Sequence, residues 1–329
     1  MRIETDVTRL LGIDLPIVQA GMSWASSAPE LPLAVSRAGG LGVIAAGPMR
    51  LPDLARAIET VRAGTDRPFA VNLPLYRKGA DEVIDLLLAR PVPVLIASQG
   101  GPRRYLERFH AVGTVCLHVV AGVEHALKAV DAGVDGLTVA GAEAGGHPPA
   151  SAVSTLVLVR AVARATAAIP IVASGGFADG AGLAAALAVG AGAAQFGTRF
   201  LASPEANVHP AYKDAVLAAS VEDTRAVGRD LGVIRALANE FTTRMDELER
   251  QGADLESRRL AFTAATLRMA AAEGDVARGK VEAGQSAGLI DDLVPAGELV
   301  QRIAAEYAEV VGRLPVVRSH RVADVARLP

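Results

Sequence analysis

The chain has 329 residues, its formal net charge at pH 7 is −3, and 51% of its residues are hydrophobic while 4% are aromatic. A net charge of −3 gives no electrostatic attraction to nucleic acid or to an anionic membrane surface, so we expect neither as a partner. The single cysteine excludes an internal disulfide and fits a reducing compartment. The first residues carry charges where a signal peptide needs an apolar core, and no apolar run reaches membrane-spanning length, so we expect a cytoplasmic protein.

Eight short apolar runs alternate with helical patterns between residues 15 and 201. Strands are predicted at Leu15–Ala20, Leu41–Ala46, Phe69–Leu73, Val94–Ser98, Val115–Val120, Gly136–Ala140, Pro170–Ser174 and Ala193–Phe196. The helices predicted between the first seven are Pro29–Arg37, Leu51–Ala63, Ala80–Ala89, Pro102–Ala111, Val123–Ala132 and Val153–Ala167. Such alternation is typical of parallel βαβ units, and eight units predict a closed (β/α)8 (TIM) barrel of the α/β class.

An open, doubly wound sheet is the alternative fold for this pattern. That fold would place a G-x-G-x-x-G fingerprint directly after the first strand. The chain has AGMSWAS there, and its glycine group at residues 39–42 precedes the second strand instead of following one. The sequence therefore favours the barrel.

The composition changes after Ser203. Residues 205–279 carry helical patterns dense in charged side chains, such as TTRMDELERQGADLESRRL. We predict that this segment is a small, mostly helical inserted domain, and that residues 1–204 and 280–329 form the barrel, with a last amphipathic helix at Ala296–Arg313. Since enzymes often shield a reactive centre with a second element, we expect the insert to lie across the barrel mouth as a lid that shapes the substrate pocket.

Two glycine turns follow the seventh and eighth predicted strands. Strand seven leads into Gly175 and Gly176, and strand eight leads into Gly197 and Thr198. Each turn runs from a strand into a helix, so free backbone N–H groups and helix dipoles point at one place. In a barrel of this class, the loops after strands seven and eight commonly hold a phosphate group. The sequence therefore predicts a phosphate site there.

His147 is the leading candidate for acid–base chemistry. It follows Ala144-Gly145-Gly146 in the loop after strand six, where a flexible backbone can present an imidazole at the barrel mouth. The alternative is a capping or surface-loop histidine. For His118, on strand five, we expect a packed, hydrogen-bonded role.

Other kinds of site have little support. The sequence has no His or Cys pair at metal-ligand spacing and no G-x-S-x-G elbow, so we expect neither a metal nor a serine nucleophile. A phosphate anchor with few acid–base groups suits a bound cofactor that carries the chemistry. Two other classes stay open: a barrel isomerase or lyase acting on a phosphorylated metabolite, and a barrel that only binds a partner.

Several stretches spread over the chain resemble one family of flavoproteins. They are PIVQAGMSW, AVSRAGGLGVIAAG, RPFAVNLPL, EAGGHP, PIVASGGFADG, FGTRFLAS, NVHPAYK and EAGQSAGLI. In this order they resemble the FMN-dependent nitronate monooxygenases (2-nitropropane dioxygenases), a family that includes the flavin-dependent enoyl-ACP reductase II and NADH:quinone reductase relatives. The resemblance implies a barrel that binds FMN, with a small inserted domain and a small-molecule substrate. It is also compatible with a homodimer.

The resemblance also implies roles for individual residues. His147 corresponds to the family's active-site histidine, Asn72 would hydrogen-bond the flavin ring, and Gln195 would lie near the ring or the ribityl chain. The other implied FMN-binding residues are Ala20, Gly21 and Met22 beside the ring, Gly175, Gly176, Gly197 and Thr198 around the phosphate, and Glu143, Gly146 and Ser174 at neighbouring strand ends.

The reaction is not fixed by the resemblance. The leading prediction is a monooxygenase that oxidises alkyl nitronates with O2. The alternative is an NAD(P)H-dependent reduction of enoyl thioesters or quinones. Val119 and Ala140 favour the alternative, because some nitronate-oxidising and quinone-reducing members carry a lysine at the first position, and some members an acidic residue at the second. With Val119 and Ala140 at these positions, the chain lacks both charges near the predicted flavin.

Overall fold

The eight predicted strands form a barrel in the computed structural model, which describes residues 1–166 and 169–315. All neighbouring pairs are parallel, in the order β1-β8-β7-β6-β5-β4-β3-β2. A further parallel bridge from Val18 to Leu41 joins the two ends of the sheet. The strands are β1 (Ile17–Gln19), β2 (Gly42–Ala45), β3 (Phe69–Pro74), β4 (Val94–Ser98), β5 (Val115–Val120), β6 (Gly136–Ala140), β7 (Ile171–Ser174) and β8 (Ala193–Phe196). The predicted α/β TIM barrel is confirmed.

Helices cover the outside of the barrel. Those of the barrel portion are α1 (Asp6–Leu11), α2 (Glu30–Arg37), α3 (Leu51–Gly64), α4 (Ala80–Ala89), α5 (Leu106–His110), α6 (Val123–Ala132), α7 (Thr155–Ala165), α8 (Gly180–Ala188) and α9 (Thr198–Leu201). The helix predicted at Pro102–Ala111 is split into a 3-10 turn, Pro102–Arg104, and α5. The predicted end of α7, Ala167, lies outside the described residues, as does the end of the chain from residue 316. No helix among the described residues is both long and apolar enough to cross a bilayer.

The lumen of the barrel is filled with apolar side chains below the mouth. The cluster contains Val18, Leu41, Val43, Ala70, Val94, Ile96, Leu117, Val172 and Ala193. Because side chains alternate between the two faces of a strand, the residues two positions further on face the same way. Ala20, Asn72, Ser174 and Gln195 are such residues. They stand above the apolar plug, at the carboxyl ends of their strands.

The short helix α1 closes the amino-terminal end of the barrel, and the sequence analysis did not predict it. Val7 and Leu11 join the apolar cluster in the lumen. Thr5 and Thr8 form a capping box at its start, and the Thr5 hydroxyl donates to the Gly192 carbonyl at 2.7 Å. With six residues, α1 is too short to show a helical period, so its caps and its docking site stabilise it.

The segment predicted as a mostly helical insert also contains a β-hairpin. Its helices are α10 (Pro210–Leu217), α11 (Glu240–Arg250), α12 (Leu255–Ala264) and α13 (Leu267–Ala271), and its antiparallel strands are β9 (Thr224–Val227) and β10 (Ile234–Leu237). It has a small core of its own, made of Val227, Ile234, Phe241, Met245 and Ala265. The run TRAVGRDLGVIRAL lacks a clean alternation of apolar and polar residues, so the hairpin could not be read from its pattern.

The chain then returns to the barrel. A 3-10 turn, Gln285–Leu289, leads to α14 (Ala296–Arg313), which has the bounds predicted from the sequence. α14 packs against α8, where the backbone of Gly180 touches it. An ideal Cβ at Gly180 would lie 2.1 Å from the Tyr307 nitrogen and 2.5 Å from the Glu306 carbonyl carbon. The two helices approach this closely because position 180 has no side chain.

Gly180→Ala should therefore lower the free energy of unfolding by about 1–3 kcal/mol, because the new methyl group must push two helix backbones apart. The matched control is Gly312→Ala on α14, where no heavy atom of residues 1–166 and 169–315 lies within 4 Å of an ideal Cβ. That control should be neutral or slightly stabilising. Urea denaturation of both variants measures the difference. Equal midpoints for Gly180→Ala and the wild type would contradict the close packing.

Candidate active site

One large cavity opens at the carboxyl ends of the barrel strands. Its volume is about 1140 Å³. All of the site residues predicted from the sequence line it: Ala20, Gly21, Met22, Asn72, Glu143, Gly146, His147, Ser174, Gly175, Gly176, Gln195, Gly197 and Thr198. Residues of the insert also line it, among them Val233, Phe262 and Leu267. The structure thus brings the predicted residues together around one cavity.

Backbone N–H groups converge where β7 and β8 end. Gly175 and Gly176 have φ values of +113° and +84°, which L-residues with a side chain rarely adopt. In the described chain, the N–H groups of these two glycines and of Gly197 and Thr198 donate to no protein acceptor. Free N–H groups at adjacent strand ends form a concave anion site. This geometry fits the phosphate group expected from the sequence.

Glu143 supports this cradle from the side. Its Oε2 atom accepts hydrogen bonds from the backbone nitrogen and the hydroxyl of Thr155, both at 2.8 Å. The carboxylate therefore caps the start of α7, and its charge is partly satisfied there. An ideal Cβ at Gly175 would lie 2.8 Å from the Thr155 hydroxyl oxygen, and one at Gly176 would lie 3.3 Å from the Glu143 Cβ. Glu143 thus positions the cradle.

Asn72 lines the cavity and has a free acceptor atom. Its Nδ2 donates to the Ile96 carbonyl at 3.0 Å, which fixes the amide orientation and leaves Oδ1 directed away from that bond. Gly21 packs directly on this side chain, since an ideal Cβ there would lie 2.4 Å from the Asn72 Cβ. Nearby, the Gln195 Nε2 donates to the Ser174 hydroxyl at 2.8 Å. These amides are held before any ligand binds.

The loop that carries His147 is fixed by the insert. Gly146 and Arg235, on β10, exchange two backbone hydrogen bonds of 3.1 and 2.7 Å. The Arg235 Nε also donates to the Ala142 carbonyl at 3.0 Å, and its guanidinium donates to the Thr224 hydroxyl at 2.9 Å. Sequence reasoning missed Arg235. The only sequence signal that could have pointed to Arg235 is its position as a single charged residue in the apolar run GVIRAL.

His147 faces the cavity as a neutral imidazole. Its ring makes no hydrogen bond to the described residues and caps none of their helices. The side chain is exposed, and it lines the cavity. Partial desolvation by the surrounding protein, together with the nearby Lys280 cation, lowers the pKa of His147 below the ordinary 6.5. At neutral pH the ring is therefore uncharged, and it can accept a proton or donate one N–H hydrogen bond.

Strand β5 carries a packed histidine, His118, next to Val119, which faces the cavity. His118 is 6% exposed and its Nδ1 lies 3.0 Å from the Tyr105 hydroxyl, so it is the packed, hydrogen-bonded histidine that we expected. Val119 packs against the lumen cluster and lines the cavity. Ala140, at the end of β6, also lines the cavity. The two uncharged positions noted in the sequence therefore both face the site.

The segment after the insert completes the cavity, and the sequence analysis did not single out its charged residues. Gly284 donates to the Thr198 hydroxyl at 2.9 Å. Lys280 places its Nζ 3.5 Å from the centre of the Phe262 ring and 5.4 Å from that of Phe241. Burial raises the pKa of Glu282 to about 7, while the Lys280 charge opposes this shift. Both charged side chains line the cavity.

A group of possible metal ligands lies elsewhere. Atoms of His110, Cys116 and Asp135 come within 4.8 Å of one another near the start of β5. However, the Asp135 carboxylate already contacts the His110 ring at 3.0 Å and accepts from the Cys116 nitrogen at 2.7 Å. Burial raises the pKa of the Cys116 thiol to about 12, so it stays protonated and is a poor ligand.

Comparison with known proteins places the chain in a family. The family model described as nitronate monooxygenase matches residues 4–85 and 76–306. The chain is 32% identical to the (3aS,4S,5R,7aS)-5-hydroxy-7a-methyl-1-oxo-octahydro-1H-indene-4-carboxyl-CoA dehydrogenase of Mycobacterium tuberculosis, which covers 93% of this chain and 96% of that protein. It is also 32% identical to a nitronate monooxygenase of Paraburkholderia phytofirmans, with 93% and 95% covered. The solved structure of FabK from Thermotoga maritima has a TM-score of 0.88 and 42% identity, covering 94% of this chain and 98% of that one.

A barrel that presents free backbone N–H groups and an imidazole to one cavity at the carboxyl ends of its strands suits a cofactor-dependent enzyme. The chain belongs to the nitronate monooxygenase family. It is a flavin-dependent oxidoreductase that acts on small molecules. The resemblance stated from its motifs is thereby confirmed.

Gly175→Ala should abolish flavin retention, because alanine is strained at a φ of +113° and its methyl group would meet the Thr155 hydroxyl. The control is Gly122→Ala, where the part of the chain that the structure describes places no heavy atom within 4 Å of the ideal Cβ and φ is −177°. We expect the purified control to carry as much flavin as the wild type and the Gly175 variant to carry little. The flavin-to-protein absorbance ratio measures this. Full flavin content in Gly175→Ala would exclude the cradle from cofactor binding.

Proposed function

We propose that this chain is an FMN enzyme that uses NAD(P)H to reduce a C=C bond conjugated to a thioester carbonyl. The size of the cavity supports this most directly. Pockets for one drug-sized ligand have volumes of about 300–1,000 Å³, and this one reaches about 1140 Å³. It has room for a cofactor and, beyond it, an extended acyl substrate. The 42% identity to FabK, an enoyl-ACP reductase II, and the similarity to a carboxyl-CoA dehydrogenase point to the same substrate class.

The residues present fit FMN. The four unpaired N–H groups at Gly175, Gly176, Gly197 and Thr198 suit a terminal phosphate. Asn72 offers its Oδ1 to the ring, and Met22 lines the cavity beside it. When bound, FMN would supply hydride transfer between NAD(P)H and the substrate.

His147 would act on the substrate carbonyl. A neutral imidazole with a lowered pKa can donate its N–H to a carbonyl oxygen and stabilise the negative charge that develops there, without first giving up a proton. A proton relayed from solvent then reaches the carbon next to the carbonyl, so that one hydride and one proton convert C=C to CH–CH. His147 lines the cavity, where it would donate the hydrogen bond to the carbonyl oxygen.

The insert would close the substrate end of the cavity. Val233, Phe262 and Leu267 supply apolar wall on that side, and Arg235 holds the loop of His147. We propose that residues 205–279 serve as the lid and substrate domain, excluding water from the reaction. The apolar wall suits an acyl chain.

Oxidation of alkyl nitronates by O2 is the second candidate, and the sequence alone placed it first. The family match and the 32% identity to a nitronate monooxygenase support it. One observation in the site also favours it: the Lys280 cation lines the cavity with His147 and would attract an anionic nitronate. We place nitronate oxidation second because the cavity volume suits an extended acyl substrate.

Anaerobic mixing separates the two candidates. Enzyme with its flavin is mixed in turn with NADH, NADPH and propyl nitronate, and the flavin absorbance is followed. We expect bleaching by a nicotinamide, then recovery of colour on adding trans-2-hexenoyl-CoA without oxygen. Bleaching by the nitronate alone, with recovery in air, would overturn the reductase proposal in favour of the second candidate.

His147→Ala should keep its flavin and lose about 10²–10⁴-fold in turnover, the usual cost of removing a positioned acid–base group. His110→Ala, outside the cavity, is the matched control and should keep wild-type turnover. Because the pKa of His147 is lowered, wild-type kcat/KM should fall only at a pH below 6.5, where the ring becomes charged, and the alanine variant should lose that limb. Wild-type turnover in His147→Ala would show that the histidine is structural.

A further inference from the structure

Glu282 brings an unpaired carboxylate to the cavity. Its oxygens take part in no hydrogen bond or ion pair with the described residues, and its interaction with Lys280 is a longer-range attraction. A carboxylate removed from bulk water without a donor costs free energy. Such a group is stable in the wall of a pocket when a ligand supplies the missing donor.

Apart from His147, the groups of neighbouring elements that could satisfy Glu282 are engaged elsewhere. Lys280, two residues away, places its ammonium over aromatic rings. Arg235, on β10, donates to a carbonyl and a threonine hydroxyl, and Tyr212, on α10, donates to the Glu282 backbone carbonyl at 2.7 Å. His147, on the loop after β6, makes no hydrogen bond with the described residues and is neutral. The carboxylate is therefore available to a ligand.

Its position beside the reacting centre is fixed by the backbone. An ideal Cβ at Gly146 would lie 3.1 Å from the Glu282 Oε2, so the carboxylate rests against the residue that precedes His147. A bridge between Ala236 and Glu282 ties the same backbone to the hairpin. Since adjacent Cα atoms are 3.8 Å apart, the acceptor lies a few ångströms from the loop that carries the acid–base group.

We propose that Glu282 is a specificity-determining residue that selects thioesters whose acyl chain carries a hydroxyl donor a few bonds from the reacting carbon. This rests on the proposed function for the identity of the reacting group. An unsubstituted acyl chain leaves the carboxylate unpaired, whereas a donor at the right distance satisfies it. A site built to bind a hydroxyl discriminates strongly against the analogue that lacks it.

The test compares trans-2-hexenoyl-CoA with its 4-, 5- and 6-hydroxy derivatives on the flavin-loaded enzyme. We expect at least one hydroxylated compound to exceed the parent in kcat/KM by about tenfold or more, since hydrogen bonds to charged acceptors are strong. Glu282→Leu should erase this preference. Glu282→Gln keeps an acceptor oxygen without the charge and should retain part of it. Glu273→Gln, an exposed carboxylate outside the cavity, is the control and should behave as the wild type.

The pH dependence gives a second readout. Since the pKa of Glu282 is raised to about 7, its charged, stronger acceptor form predominates above that pH. The hydroxyl preference of the wild type should therefore grow from pH 6 to pH 8, about one unit on either side of that pKa, whereas Glu282→Gln should show a flat ratio over that range.

Binding measurements keep this test separate from the proposed function. The same compounds are titrated into oxidised enzyme, and the shift in flavin absorbance gives a Kd without turnover. A hydroxyl preference in Kd that disappears in Glu282→Leu would support the role of Glu282 even if no thioester were reduced. Equal ratios in the wild type and Glu282→Leu, or no preference in either readout, would overturn it.

Discussion

The unpaired N–H groups at the ends of β7 and β8 are the constraint on which the rest of the site depends. Buried backbone donors need acceptors, so the turns at Gly175 and Gly197 are stable as parts of an anion site. Glu143 cannot supply the acceptor, because its carboxylate is committed to the start of α7. In the proposed function, the cradle would hold one end of the cofactor, and the distance from the cradle to His147 would decide which part of the cofactor meets the substrate.

The insert lines the cavity, and it also holds the loop of His147 in place. β10 pairs with the loop of His147 on one side and with Glu282 on the other, so three segments distant in sequence form one small patch of backbone pairing. Backbone pairing of this kind orients side chains more firmly than a glycine-rich loop could alone. The flexibility that the sequence suggested for Gly145 and Gly146 is therefore restrained in the folded protein.

The barrel and its inward-facing layer could be predicted because both follow from local patterns. Apolar runs mark the strands, and the alternation of faces places Asn72 and Gln195 at the mouth. Arg235 and Glu282 could not be found in this way, since their partners lie 89 and 136 residues from them, at Gly146. The hairpin was missed because its strands are four residues each and weakly patterned. Tertiary contacts, rather than local preference, determine these features.

The helix at the barrel floor has a consequence for how the chain is made. Thr5 bonds to a carbonyl 187 residues away, and the apolar face of α1 docks on strands from both halves of the barrel. During synthesis the amino terminus emerges first, but its docking site is complete only after β8 has left the ribosome. Contacts between such distant residues slow folding, and partly formed barrels expose apolar edges meanwhile. Newly made chains of this protein should therefore depend on chaperones until their final strand is in place.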